Sequence, residues 1–138
     1  MAAIYKGSCL CGEITFDITF KNNGEFDSFY LCHCHYCQKD TGSAHAANLF
    51  TTPEKISWLT GKQQIKTFNL PSTRHVKSFC SNCGSAVPAL EGDGRLLAVP
   101  AGSLNDTIKV KPTAHIFMAS RASWDETLET IPRFDELP

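Results

Sequence analysis

Seven cysteines in three tight groups constrain this chain more than any other feature of it. The groups are Cys9-Leu10-Cys11-Gly12, then Cys32-His33-Cys34-His35-Tyr36-Cys37, then Cys80-Ser81-Asn82-Cys83-Gly84. An odd number of thiols, three of them within residues 32–37, suits a disulfide framework poorly. An isolated cysteine is most often a core residue, but clustering of this kind points to metal ligation. If the first and last groups share one ion, the fold must bring residues 9 and 80 to one place.

C-x-x-C followed by Gly is the knuckle of zinc ribbons. Two sulfurs grip one ion while backbone N–H groups turn toward them, and Gly84 supplies the backbone freedom the turn needs. The rival reading of Cys80 and Cys83 as a redox pair requires a βαβ context, and the flanking runs here read as short strands. Cys9 and Cys11 stand two apart on what reads as an extended segment, with both side chains on one face. Two plus two makes a closed tetrahedral Cys₄ site, the usual form of structural zinc. Cys32, Cys34 and Cys37 remain, and three ligands with a vacancy is the pattern of catalytic zinc. Other divisions stay open at this point. The central cluster is an alternative partner for Cys9 and Cys11, and His33, His35 or His45 are alternative ligands at the second site.

On a strand, His33 and His35 face away from the neighbouring sulfurs, which makes them supporting or surface groups. His45, His75 and His115 read as hydrogen-bonded structural residues. Trp58 and Trp124 read as core or rim aromatics. Lys39, Arg74 and Lys77 are solvated cations unless one stands near the open site, where it would hold a substrate carboxylate.

The elements read as mainly β. From Ile14 to Phe20 the chain alternates strictly, with Ile14, Phe16, Ile18 and Phe20 on one face, the period of a half-buried strand. Lys21–Asp27 is a turn, and Ser28–Cys32 a second strand delivering the central cluster. Gln38–Ser43 reads as a helical turn or loop ending at Gly42. Short β-like runs follow at Lys55–Leu59, Gln64–Asn69, Val76–Phe79, Ala86–Leu90, Arg95–Pro100 and Ala114–Ala119, separated by Gly, Pro, Asn and Asp. The tail from Thr130, with two prolines, reads as a docked extended segment. A single domain over residues 1–138 is expected, with a hydrophobic core of its own.

Lys plus Arg number 13 against 14 acids, a net charge of −1. That argues against a nucleic-acid partner. There is no run of eighteen apolar residues to span a membrane. The first residues lack the basic and apolar regions of a signal peptide, so the expected address is the cytoplasm, where thiols stay reduced.

Taken together, "GSCLCGEITF", "CHCHYCQKDTGSAHAA", "FCSNCGS", "VPAGSLND" and "HIFMASRASW" resemble the glutathione-dependent formaldehyde-activating enzyme family, whose zinc-binding domain also occurs in centromere protein V. The resemblance implies packed antiparallel sheets (β-tent-like) around a structural zinc. By the family's pattern Cys9, Cys11, Cys80 and Cys83 would hold that ion, and Cys32, Cys34 and Cys37 a second, catalytic and more labile zinc. The implied reaction joins formaldehyde to glutathione as S-(hydroxymethyl)glutathione, a carbon–sulfur lyase run in reverse. Two positions depart from the pattern. Gln38, followed by Lys39, stands where an arginine is common, and a lysine lacks arginine's bidentate fork. Leu10 stands where a histidine is common.

Charge suggests how such a site would work. Three thiolates on Zn²⁺ leave a net −1, a weaker Lewis acid than a three-histidine site but a good place for an incoming thiol to bind as thiolate. Two rival functions fit the same cysteines: a zinc-stabilised binding module with no catalysis, and a redox-responsive protein whose central thiols oxidise. The three-ligand site is the feature that favours an enzyme.

Overall fold

A computed structural model describes residues 2–138. Among these residues eleven strands and one α-helix follow in order, with short 3-10 turns between some of them: β1 (Ala3–Ser8), β2 (Thr15–Phe20), β3 (Ser28–Cys32), α1 (His35–Thr41), β4 (Ala46–Thr51), β5 (Ile56–Thr60), β6 (Ile65–Asn69), β7 (Val76–Cys80), β8 (Ala86–Val87), β9 (Ala89–Glu91), β10 (Leu96–Pro100) and β11 (Ala114–Ile116). The mainly β expectation holds. Among the described residues no helix is long and apolar enough to cross a membrane.

Three sheets form, with strand orders β1-β2-β5, β11-β3-β4-β10-β9 and β6-β7-β8. Their strand pairs are antiparallel except β11 with β3, which run parallel and set His115 opposite Leu31. The alternation read in β2 is the alternation that packs it. Ile14, Phe16, Ile18 and Phe20 are buried, while Thr15, Asp17 and Thr19 are half-buried on the other face. That apolar face meets Phe29 of β3, Leu49 of β4, and Leu97 and Val99 of β10, so the main core lies between the first and second sheets. Burying each such side chain stabilises the fold by roughly 1.5–3 kcal/mol. Gly7 of β1 makes room for the ring of Phe16, its cross-strand partner in β2, because a Cβ there would stand 2.2 Å from that ring.

A smaller core of Cys9, Ile14, Cys80 and Val87 joins the first sheet to the third. Trp58 packs against both cores and meets Phe16 edge-on at 5.5 Å. In this second core sulfur takes the place that hydrocarbon takes in the first.

Three local readings need correction. The helix begins at His35 rather than Gln38, because Cys34 caps it: its sulfur accepts the Cys37 N–H at 3.4 Å. Gly42, in the left-handed region at φ 66°, ends it as expected. Residues 126–138 are exposed rather than docked: prolines remove donors but do not supply a face to bind, and Ile131, Phe134 and Leu137 are more than half exposed. Trp124 is likewise 61% exposed, neither core nor rim.

Candidate metal centres

Cys9, Cys11, Cys80 and Cys83 converge, with all four sulfurs within 4.8 Å of one another. Cys9 Sγ lies 3.6 Å from Cys11 Sγ, and Cys11 Sγ lies 3.9 Å from Cys80 Sγ. Sulfurs bound about 2.3 Å from a tetrahedral zinc stand about 3.8 Å apart, whereas disulfide sulfurs stand about 2.05 Å apart. The spacing is therefore that of a metal cage, and all seven cysteines are free.

The cage forms from two turns. Cys9 to Gly12 is a turn after β1 rather than an extended segment: Gly12 N–H donates to Cys9 O at 3.2 Å, and Gly12 takes φ 84°. On the other side Gly84, at φ 78°, donates to Cys80 O at 2.7 Å. Ser85 joins the two turns. Its hydroxyl accepts the Leu10 N–H at 2.9 Å and lies 3.3 Å from Cys83 Sγ. That hydroxyl, with the Ser85 backbone, draws the Cys83 thiol down to about 5. Burial works against ionising Cys9, but the Ile14 N–H and the sulfurs of Cys11 and Cys80 bring its pKa below the ordinary thiol value.

Cys32, Cys34 and Cys37 form a second group, again with all sulfurs within 4.8 Å. Cys32 ends β3, Cys34 caps α1 and Cys37 sits in its first turn. Cys37 is buried and the other two are half-buried. Burial, then the Cys32 sulfur, pushes the Cys37 thiol up, and burial raises Cys32 as well. Three crowded thiols resist ionising together unless a cation joins them.

The two groups differ in what they face. Cys32, Cys34 and Cys37 all line a cavity of about 720 Å³, and none of the other four cysteines does. Tyr30, Tyr36, Asn48 and Phe117 form part of its wall, with Arg74, His75 and Lys77 supplying nitrogen. Asp40 of α1 organises that edge, bonding His75 Nε2 at 2.8 Å and Lys77 Nζ at 3.0 Å. Neither Gln38 nor Lys39 lines the cavity. The Gln38 amide instead donates to His33 O at 2.7 Å and Ser120 O at 2.8 Å, tying α1 to the segment after β11.

No histidine joins either thiol group among the described residues. His33 and His45 instead gather with Asp125 in a third group, again within 4.8 Å. His33 is only 1% exposed. Burial, then the neighbouring His45, holds it below the ordinary histidine range. Sequence reasoning missed this group because it arises from register. The pairing of Cys32 with Ala46 brings His45 beside His33, and the parallel β11 brings His115.

The family model for glutathione-dependent formaldehyde-activating enzyme matches residues 4–120. A crystal structure of a Rhodobacter sphaeroides protein is similar in fold at a TM-score of 0.62, with 16% identity over 80% of this chain and 98% of that one. No curated protein sequence matches the chain.

Proposed function

The chain belongs to the glutathione-dependent formaldehyde-activating enzyme family, and from that premise we propose that residues 1–138 act as one domain forming S-(hydroxymethyl)glutathione from glutathione and formaldehyde. In this reading Cys9, Cys11, Cys80 and Cys83 hold a structural zinc, and Cys32, Cys34 and Cys37 hold a second, more labile one. The donors suit that metal, since thiolate sets at this spacing select zinc among the common divalent ions. When bound at the three-thiol group, zinc supplies the positive charge that favours a substrate thiolate over a thiol.

The observation that carries the reading is the cavity. Four sulfurs sit away from it and three open onto it, so only the second group has room for a substrate. Its volume of about 720 Å³ falls within the range of small-molecule sites. Arg74 on the wall offers positive charge to a carboxylate of a tripeptide thiol, whereas Lys77 is already paired with Asp40 and neither Gln38 nor Lys39 lines the cavity. The substrate sulfur forms the new C–S bond at the aldehyde carbon, the C=O π pair moves to oxygen, and a proton completes the hydroxymethyl group. His75, the histidine on the wall and braced by Asp40, is the residue we assign to carry that proton. The chemistry needs reduced thiols and therefore a reducing compartment such as the cytoplasm.

Replacing Cys34 tests this. The rate of adduct formation, followed by ¹³C exchange NMR with labelled formaldehyde and glutathione, is expected to fall at least about 100-fold in Cys34→Ala, because losing a ligand loses the several kcal/mol that a bound metal contributes. Cys34→Ser, which keeps a helix-capping acceptor, should fall similarly while its circular dichroism matches the parent. An unchanged rate in both variants would overturn the reading.

A further inference from the structure

We propose that His33, His45 and Asp125 form a third metal site, separate from both thiol groups, for a divalent first-row transition cation such as zinc. Each residue offers one donor atom, and the three lie within 4.8 Å of one another. The set is two imidazoles and a carboxylate, a donor combination that holds zinc or iron(II) with positions left for water.

The buried atoms point the same way. His33 Nδ1 is shut off from solvent and has no hydrogen-bond partner, although Asp125 Oδ2 stands 3.3 Å away. That separation is not aligned as a hydrogen bond, but it fits two ligands sharing one ion. Donors about 2.0–2.2 Å from a tetrahedral zinc stand about 3.4 Å apart. His45 Nδ1 is also buried without a partner. A buried polar atom left unpaired costs about 1–3 kcal/mol, and a cation bound by the cluster removes that cost for His33.

The outer contacts suit ligation too. His33 Nε2 lies 2.9 Å from His115 Nδ1. A metal-bound imidazole ordinarily uses its second nitrogen in this way, which fixes the tautomer and turns the other lone pair toward the ion. The nearby Arg121 guanidinium would oppose a cation, but it is paired with Glu126. Asp125, with 18% of its side chain exposed, gives an ion a way in from solvent. A bound ion would pin the segment after β11 to the ends of β3 and β4, directly behind the backbone that carries Cys32 and Cys34.

Cadmium-113 is the probe, because thiolate-bound and nitrogen/oxygen-bound cadmium resonate far apart. The reduced full chain titrated with ¹¹³Cd²⁺ alone should show one resonance in the nitrogen/oxygen range beside those of the thiolate sites. Asp125→Asn and His45→Gln should each abolish that resonance and leave the thiolate signals in place, which also reports that the variants fold. His115→Ala should weaken this site by about 10–100-fold without removing it. A wild-type chain that shows no nitrogen/oxygen resonance at several-fold excess of cadmium overturns the proposal. So does a resonance that survives in both ligand variants.

Discussion

At Ser85 one hydroxyl serves both turns of the four-sulfur cage. It accepts the Leu10 N–H from one and supports the Cys83 sulfur in the other. Ser85→Ala removes the acceptor that ties the Leu10 N–H to the second turn and leaves Cys83 without its hydroxyl. The loss of these hydrogen bonds should lower stability by about 1–2 kcal/mol. It should also weaken metal binding by about tenfold, as the loss of an outer-shell partner does. Thermal denaturation with a competitive zinc titration checks both, and Ser85→Thr should restore most of each. None of this was legible in the sequence, where Ser85 is merely the residue after a knuckle. The cysteines themselves were legible because metal ligation fixes both residue type and spacing. The partner of a ligand needs only an oxygen in reach, and many sequences supply one.

Strands and turns show the same division. β2 was readable because a strand buried on one face must alternate, and the Ile14–Phe20 pattern is that alternation. The start of α1 was not, since its cap is a cysteine and sulfur is not among the usual capping groups. The tail misled for a different reason. Its two prolines argue for extended backbone over a helix but say nothing of whether that backbone meets a face of the fold, and Ile131, Phe134 and Leu137 stay exposed. Between β1 and the turn after β2, a single bond carries a testable pH effect. Buried Tyr5 donates to Glu25 Oε2 at 2.7 Å. Burial, then this bond to Glu25, raises its pKa to about 12. The folded state thus holds the phenol proton more tightly than the unfolded chain does. The contribution is complete below the unfolded value near 10 and disappears as pH rises through about 12. Denaturant melts between pH 9 and 12 should therefore show stability falling with pH. Tyr5→Phe should flatten that fall and, at neutral pH, cost about 1 kcal/mol for the lost hydrogen bond.

For the molecule as a whole, the two thiol groups occupy positions of different consequence. The four-sulfur cage joins the turn after β1 to the turn after β7, within a core that has few hydrocarbon side chains besides Ile14 and Val87. The three-sulfur group lies where β3 ends and α1 begins, and none of its cysteines belongs to the hydrocarbon core between the first two sheets. On the proposed reading, one ion is part of the fold and the other is open to solution through the cavity. A mild chelator should remove one zinc first and stop adduct formation, while the melting temperature and circular dichroism stay nearly unchanged. Exhaustive removal should then cost stability on the order of 10 kcal/mol, as structural zinc does in small domains. Metal content, activity and melting temperature followed on the same samples check this order. If instead the melting temperature collapses with the first zinc lost, the ion behind the cavity is also holding β3 and α1 together. The hydrocarbon core between the first two sheets would then be insufficient to keep the central cysteines in place.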